Sequence, residues 1–524
     1  MDFVRAVNRE IMVGDKPLLL RGFGLGGWLL PEGYMWKFYT LCDRPRRMEA
    51  LIEDLCGPAY GEAFWRRYED AYITREDIAW IAGEGFNSVR LPLNARHLKK
   101  EETWRRIDDC IAWCKEHGLY VILDMHGAPG GQTGQNIDDS ENDQPELFQN
   151  RDYQRELIGL WRRITLRYRE ETAVAGYDLL NEPLPEFFSQ YNGRVLPLYR
   201  ELAKAIRQVD PHHMLILEGV HWATDFSIFD PLEESPLDGN CMLQFHRYWS
   251  APDQPGIQPF LDYRERLNMP LFMGEGGENN LDWYKAAFAL YERQKISWSF
   301  WTYKKMDCHN SPVTFPMPGE WPRLLAYLKG GPRPAPAEAR RILDGFLEAV
   351  AQGKRNPDVI RALKREIPIT FPAEHFDRGY SALKRIPGAD YRRGEPLSIL
   401  FHSGKAGMPD YRRMGGELQP EAERLYVLLR QGERAVYRYK AAAGGAQPRR
   451  VRLRMRGEGI LRVQAGAEGR EKALSLEDWA DVEIEIVDGP ERGKEQGQEQ
   501  RDGFYVLEVG CSAGALELDE VEIG

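Results

Sequence analysis

The segments GYDLLNE (176–182) and PLFMGE (270–275) decide the fold. Each is a short apolar run that ends in a glutamate and meets proline or glycine, which is typical of a buried strand that stops at a loop. Six similar runs lie between residues 18 and 301, separated by amphipathic stretches of helical period. They are LLLRGF (18–23), FNSVRLPL (86–93), LYVILDMH (119–126), MLILEG (214–219), CMLQFH (241–246) and ISWSFW (296–301). Eight β-α units in about 300 residues predict an α/β fold, a closed (β/α)8 TIM barrel.

Polar residues stand at or near the C-terminal ends of six of these predicted strands. They are Arg90, His126, Asn181, Glu182, His246, Glu275 and Trp301. In a (β/α)8 barrel the loops that follow the strands converge at this end and build the active site. Because a buried polar group needs a partner or a task, the sequence predicts that these side chains face one another.

Two glutamates among them fit the cleavage of a glycosidic bond. One carboxyl group must hold a proton for the leaving oxygen, and the other must stay ionised to attack the anomeric carbon. Glu182 precedes Pro183 at the end of the fourth predicted strand, and Glu275 lies in a Gly-Glu-Gly-Gly segment at the end of the seventh. A separation of about 5–5.5 Å between the two carboxyl groups would imply retention of configuration.

The neighbouring polar residues suit the same chemistry. Arg90, His246 and Tyr248 can hydrogen-bond Glu275 and keep it ionised, because nearby positive charge and donors lower a carboxyl pKa. Asn181 can hold the sugar 2-hydroxyl, whose hydrogen bonds strengthen in the transition state.

Tryptophans provide candidate sugar platforms. Trp301 offers an apolar ring for the flat face of a pyranose, and Trp28, Trp36, Trp222 and Trp249 lie in predicted loops that can extend it. Any loop tryptophan is about as suited to packing the loop as to stacking on a sugar.

The character of the chain changes after the barrel. The pattern of residues 331–366, which begins with a Pro/Gly break, predicts a helical connector. Residues 367–524 are rich in alternating strand patterns separated by glycine-containing turns. We therefore expect a catalytic barrel over 1–330 and an all-β, jelly-roll-like sandwich over 367–524. The charged run 489–503 is predicted to be a solvated loop.

The order of the strand-end residues resembles glycoside hydrolase family 5, of the clan with its acid and nucleophile on the fourth and seventh strands. The resemblance covers about residues 15–330. It implies that Glu182 is the acid/base and Glu275 the nucleophile of a retaining enzyme that needs no cofactor and no metal. The residues that it implies for the −1 subsite and its support are Arg90, His126, Asn181, His246, Tyr248 and Trp301.

Within that family, the segments around residues 25–29 and 126–132 look most like exo-β-1,3-glucanases and related β-glucosidases. Glu32 falls where those enzymes place a carboxylate that grips the terminal glucose. Asn136 stands where they carry an aspartate, with Asp138 and Asp139 just beyond it. The C-terminal region resembles carbohydrate-binding-module sandwiches, which weakly implies sugar binding.

The bulk composition limits the partners. A net charge of −11 disfavours nucleic acid or an anionic membrane, since phosphate binding needs a basic surface. A neutral oligosaccharide or β-glycoside suits this balance. Seven scattered cysteines and the lack of a visible signal peptide favour a cytoplasmic protein with reduced thiols, with a trimmed secreted form as the alternative.

The sequence therefore predicts a retaining, exo-acting β-glycosidase for β-glucosides or β-glucan oligosaccharides. An endo-β-glucanase with an open cleft is the alternative within the same class, and a transglycosylase would share the glycosyl-enzyme but exclude water. A non-catalytic carbohydrate-binding protein would be expected to lack one of the two glutamates, and both are present.

Overall fold

The computed structural model describes residues 2–441, 448–466, 468–487 and 504–524. The charged run 489–503 lies outside the described residues. The chain divides into two compact units, one of residues 1–248, 260–277 and 295–356 and one of residues 249–259, 278–294 and 357–524. The predicted domain bounds at 330 and 366 stay a prediction.

The first unit is built on a closed barrel of eight parallel strands, in the order β10-β11-β4-β5-β6-β7-β8-β9. Before the barrel the chain forms a three-stranded antiparallel sheet of β1 (Val4–Val7), β2 (Glu10–Val13) and β3 (Lys16–Leu18). The barrel strands are β4 (Arg21–Gly24), β5 (Ser88–Asn94), β6 (Tyr120–Gly127), β7 (Val174–Asp178), β8 (Met214–Glu218), β9 (Cys241–His246), β10 (Leu271–Gly277) and β11 (Ser297–Trp301). Each overlaps one predicted strand, so the predicted barrel is confirmed.

Helices and a small sheet complete the order of elements after β4. The helices are α1 (Pro45–Cys56), α2 (Pro58–Tyr72), α3 (Arg75–Gly83), α4 (Glu101–Glu116), α5 (Arg151–Tyr168), α6 (Val195–Arg207), α7 (Val220–Ala223), α8 (Gln254–Leu267), α9 (Leu281–Arg293), α10 (Trp321–Leu328), α11 (Pro336–Ala351) and α12 (Pro357–Lys364). β12 (Lys304–Met306), β13 (Val313–Phe315) and β14 (Lys354–Arg355) form a three-stranded sheet in the first unit.

Local sequence sets several of these boundaries. α3 begins after Thr74, whose side-chain oxygen accepts the backbone N–H of Asp77, while the Asp77 carboxylate accepts the backbone N–H of Thr74. This reciprocal capping satisfies two donors that the helix itself cannot pair.

The N-terminal sheet closes one end of the barrel. Val4, Ala6 and Ile11 are buried in one apolar cluster with residues from the beginnings of the barrel strands, among them Ile122 and Met214. Because apolar side chains fill that end, the opposite end, where the strands terminate, is left for polar chemistry.

The second unit contains α9, α12 and one curled antiparallel sheet of eight strands. The strands are β15 (Ile369–Pro372), β16 (Arg378–Tyr380), β17 (Ser398–Phe401), β18 (Leu425–Arg430), β19 (Arg434–Lys440), β20 (Pro448–Ala465), β21 (Glu468–Val487) and β22 (Phe504–Ile523). β22 pairs with β20 on one side and successively with β19, β18 and β15 on the other. The predicted all-β character of this region is confirmed.

Within the described residues, none of the helices combines the length and the apolar character needed to cross a membrane. All seven cysteines are buried and form no disulfide.

Candidate active site

Glu182 and Glu275 reach the site by different routes. Glu275 lies within β10, and the register of the barrel pairs it with His246 of β9. β7 ends at Asp178, earlier than predicted, and the chain then turns so that Glu182 has a φ of 42°. This left-handed conformation is unfavourable by about 1–3 kcal/mol for a residue other than glycine, and such strain concentrates at functional sites.

Glu275 is surrounded by hydrogen-bond donors. Arg90 Nη1 donates to its Oε1 at 2.5 Å, and the Tyr248 hydroxyl donates to its Oε2 at 2.7 Å. Burial alone would raise the pKa of Glu275, but the charges of His246 and Arg90 and the Tyr248 hydrogen bond lower it below its usual value. The carboxylate is therefore ionised at neutral pH, as a nucleophile requires.

Glu182 experiences the opposite balance. Its Oε1 lies 2.8 Å from His246 Nδ1. Burial raises the pKa of Glu182, and the negative charges of Glu275 and Glu218 raise it further, so that the lowering effect of His246 is outweighed. A carboxyl group that retains its proton is what a general acid needs.

His246 links the two carboxyl groups. Burial lowers the pKa of this imidazole, but the carboxylates of Glu218 and Glu275 raise it well above its ordinary value. His246 Nδ1 lies 3.6 Å from Glu275 Oε2 as well as beside Glu182. A protonated His246 thus places a positive charge beside both the ionised Glu275 and the protonated Glu182.

The two glutamates lie close enough to act on one bond. One carboxylate oxygen of each, together with a ring nitrogen of His246, lie within 4.8 Å of one another. This spacing is near the 5–5.5 Å of retaining glycosidases and below the 6.5–9.5 Å that leaves room for an attacking water in inverting ones. The same three groups could also ligate a cation, but Arg90 and Tyr248 already occupy both oxygens of Glu275.

Asn181 and His126 lie beside this pair. Asn181 Oδ1 accepts a hydrogen bond from Arg90 Nη2 at 2.8 Å, and its Nδ2 lies 3.4 Å from His126 Nε2. His126 Nδ1 lies 2.7 Å from Asp124 Oδ2, which fixes the orientation of the ring. Residues from three neighbouring strands, β5, β6 and β7, and the loop after β7 therefore form one connected polar cluster.

Trp301 lies against this cluster through His126. The two rings are stacked, with centroids 5.3 Å apart and planes 5° apart, and Trp301 Nε1 donates to the Tyr34 hydroxyl at 3.0 Å. Two glycines leave the space for the indole. A Cβ atom at Gly24 or Gly26 would lie 2.6 Å or 2.5 Å from its ring carbons.

Glu32 and Asn136 lie in the loops that follow β4 and β6. Glu32 is 2% exposed and precedes the 3-10 turn Gly33–Trp36, which carries the Tyr34 that contacts Trp301. Asn136 is half-buried in the loop after β6. The nearby Asp138 is occupied with the loop itself, since it accepts hydrogen bonds from the backbone N–H groups of residues 133, 134 and 140.

Three buried polar residues of the cluster were missed by sequence reasoning. Asp178, Glu218 and Gln244 are fully buried, and the first two accept hydrogen bonds from Arg90 at 2.8 and 3.0 Å. Gln244 donates to Asp178 at 3.0 Å and also to Glu218. The available signal was a polar residue within an apolar run, as Glu218 in MLILEG and Gln244 in CMLQFH.

Two loop tryptophans do not extend a sugar platform. Trp28 is 1% exposed, and its Nε1 donates to the backbone oxygen of Glu69. Trp36 is fully buried and packs on Trp321 and Phe346. Both rings stabilise the loops by packing.

The chain is similar to known carbohydrate-active enzymes. Residues 57–307 match the family model described as "Cellulase (glycosyl hydrolase family 5)". A β-xylosidase of Phanerodontia chrysosporium is 29% identical over 347 residues, which cover 58% of this chain and 71% of that protein. Endoglucanase C of Acetivibrio thermocellus is 25% identical over 312 residues, covering 47% of this chain and 88% of that protein. A probable glucan 1,3-β-glucosidase A of Aspergillus fumigatus is 27% identical over 276 residues, covering 49% of this chain and 64% of that protein.

The matched residues 57–307 contain seven of the eight barrel strands and both glutamates. Catalytic chemistry on a sugar is therefore supported independently by the cluster at the strand ends and by the relatives. Residues 57–307, just under half of the chain, are similar to the catalytic domain of glycosyl hydrolase family 5, and the protein is a glycoside hydrolase.

Proposed function

We propose that this protein is a retaining β-glycosidase that hydrolyses β-glucosides or β-glucan oligosaccharides by double displacement, acting from the chain end. The observation that carries the proposal is the close pair of carboxyl groups, within 4.8 Å, whose pKa values are shifted in opposite directions. Such a pair has one group ready to donate a proton and one ready to attack.

In the first step, Glu182 protonates the leaving oxygen while Glu275 attacks the anomeric carbon. The carbon–oxygen bond to the leaving group breaks and a glycosyl-enzyme ester forms on Glu275. Formation of the ester neutralises Glu275, so the pKa of Glu182 loses one of the charges that raise it. Glu182 can then act as the base that deprotonates water for the second step.

Around the anomeric carbon, the roles of the other polar residues follow from their contacts. Arg90 and Tyr248 orient the nucleophile, and Asn181 is proposed to hold the 2-hydroxyl while being held itself by Arg90. Trp301 is proposed to line the −1 subsite, and Glu32 and Asn136, in the loops after β4 and β6, are proposed as further sugar contacts.

An endo-β-glucanase is the alternative, and the relatives favour neither mode. One relative is named an endoglucanase, another a β-xylosidase and a third a probable glucan 1,3-β-glucosidase. Glu32 supports exo action, since it falls where exo-acting enzymes of this type place a carboxylate for the terminal glucose. Monosaccharide released from a reduced oligosaccharide supports exo action, whereas mixed oligomers early in the reaction contradict it.

The decisive experiment compares wild type, Glu275→Ala and Glu182→Ala on a panel of aryl β-glycosides, with and without azide. We expect wild type to retain configuration by NMR. Glu275→Ala should be inactive until azide replaces the nucleophile and yields an α-glycosyl azide. Glu182→Ala should yield a β-glycosyl azide, since azide then attacks the glycosyl-enzyme without a base. Full activity of Glu275→Ala would contradict the assignment, and the active panel member names the −1 sugar.

We also propose a cytoplasmic location, with a small glycoside or imported oligosaccharide as substrate. Seven buried cysteines without a disulfide support a reducing compartment. Fractionation of the source cells, followed by thiol labelling of the denatured protein, tests the proposal.

A further inference from the structure

Glu218 is a buried carboxyl group that the double-displacement mechanism does not use. It is the last residue of β8 and is fully buried. Its carboxyl group contacts Arg90 through one oxygen and Glu182 and His246 through the other. Its Oε1 accepts hydrogen bonds from Arg90 Nη2, at 3.0 Å, and from Gln244 Nε2. Its Oε2 accepts the backbone N–H of Glu182 at 2.7 Å and lies 3.5 Å from His246 Nε2.

We propose that Glu218 is a positioning residue for the general acid, in that it fixes the turn that presents Glu182 and the imidazole that orients the Glu182 carboxyl group. The inference rests on the proposed function, in which Glu182 is the acid/base. Glu218 acts through these two groups and does not itself touch the reacting atoms.

The backbone contact carries the first part of the argument. Glu182 has a φ of 42°, a conformation that persists only when its surroundings hold it. The hydrogen bond from its N–H to Glu218 Oε2 joins the turn after β7 to the end of β8, 36 residues away. A short, buried hydrogen bond to a carboxylate is among the stronger ones, so it can hold this turn.

The contact with His246 carries the second part. His246 Nδ1 faces the Glu182 carboxyl group at 2.8 Å, while Nε2 lies 3.0 Å from Gln244 Nε2 and 3.5 Å from Glu218 Oε2. Among the groups that raise the pKa of His246, the charge of Glu218 has the largest effect. Glu218 therefore favours the imidazolium form, in which Nδ1 carries a proton and donates to Glu182.

Arg90 depends less on Glu218 than Glu182 does. Its guanidinium also contacts Asp124, Asp178, Asn181 and Glu275, so loss of Glu218 leaves four partners. Removal of Glu218 is therefore expected to disturb proton donation more than the orientation of the nucleophile.

Glu218→Gln tests this expectation with no change in size. An amide has one oxygen, and it will face Arg90 and Gln244, because two donors, one of them charged, meet there. Its NH2 group then faces the Glu182 N–H and His246, which turns an attraction into a clash of donors.

The measurement is kcat/KM on two aryl β-glucosides, one with a phenol leaving group and one with 2,4-dinitrophenol. Phenol is a poor leaving group and needs the acid, whereas 2,4-dinitrophenol departs without protonation. We expect Glu218→Gln to lower kcat/KM for the phenyl substrate about 10- to 100-fold, the range for losing one hydrogen bond to a charged group. The dinitrophenyl substrate should change less than about threefold, since its cleavage bypasses the lost acid function.

Asp178→Asn is the matched control. Asp178 is equally buried on the neighbouring strand, and its hydrogen bonds go to Arg90 and Gln244. Any loss in this variant should be equal for the two substrates, because it acts on the nucleophile side. Labelling of Glu275 by a 2-deoxy-2-fluoro glucoside with the dinitrophenyl leaving group, read by mass spectrometry, reports that each variant is folded.

Equal losses on both substrates in a folded Glu218→Gln protein, or no loss on either, would overturn the proposal. If Glu218→Gln does not fold, Glu218→Asp is measured on the same pair, and failure of both to fold makes Glu218 a structural residue only. Failure of the proposed function is separate, because it would appear as a wild type that cleaves no β-glycoside with retention.

Discussion

Tyr248→Phe is expected to move the acidic limb of the pH profile to higher pH. In wild type, kcat/KM falls as the pH drops through the pKa of Glu275, because the protonated form cannot attack. That pKa is lowered, in part by the hydrogen bond that the Tyr248 hydroxyl donates to Oε2 at 2.7 Å. Phenylalanine keeps the ring and removes only this donor to the charged form, so the pKa of Glu275 must rise.

The size of the shift follows from the energy of one hydrogen bond. A hydrogen bond to a charged group contributes about 1.5–3 kcal/mol, and one pKa unit corresponds to about 1.36 kcal/mol. Removing the donor should therefore raise the pKa of Glu275 and lower kcat/KM on the acidic side of the profile by at most about 10- to 100-fold. Arg90 still donates to Oε1, so the carboxylate remains the favoured form at neutral pH.

The assay is kcat/KM for an aryl β-glucoside across the acidic range, in wild type and variant. Tyr177→Phe is the control, because Tyr177 is equally buried and donates to Asp210 at 2.6 Å rather than to the site. It should lower the melting temperature without moving the acidic limb. An unchanged acidic limb in Tyr248→Phe, or an equal shift in the control, would refute the reasoning that Tyr248 stabilises ionised Glu275.

Three further predictions concern the same cluster. Gly26→Ala should lower kcat/KM about tenfold or more, because its Cβ would lie 2.5 Å from the Trp301 ring and displace the indole. Gly193→Ala, whose Cβ would meet nothing within 4 Å, should leave kcat/KM unchanged. Equal effects of the two substitutions would contradict the idea that the Trp301 ring needs the space beside Gly26. His246→Asn should move both limbs of the pH profile of kcat/KM to higher pH, because His246 lowers the pKa of both catalytic carboxyl groups. A shift of either limb to lower pH contradicts this. Dialysis against EDTA should not change the rate of hydrolysis, since both oxygens of the nucleophile already accept protein hydrogen bonds; a loss restored by a divalent cation would show a metal requirement.

The ends of the strands, and the two glutamates that stand there, could be predicted from the sequence. An apolar run of four to eight residues, bounded by glycine, proline or polar residues, is a local pattern that also fixes which end of the strand faces the loops. Eight such runs were enough to predict the barrel and to bring Glu182 and Glu275 to one end. The residues that matched a family pattern in order, such as Arg90 and His246, were found in the same way.

The partners of those residues were decided by the tertiary structure. Glu218 supports a turn 36 residues earlier in the chain, and Trp301 fits against glycines more than 270 residues away because the barrel closes β11 onto β4. Trp28 and Trp36, which lie in predicted loops, are buried by packing that no local pattern reports.

The sequence by itself thus determined the barrel, its polar end and the two carboxyl groups, because strand length and apolar period are written in consecutive residues. The tertiary structure alone decided how far apart the carboxyl groups lie, which donors surround each, and hence which one keeps its proton. The physical reason is that a pKa depends on burial and on charges within a few ångströms, and those neighbours come from strands far apart in the chain.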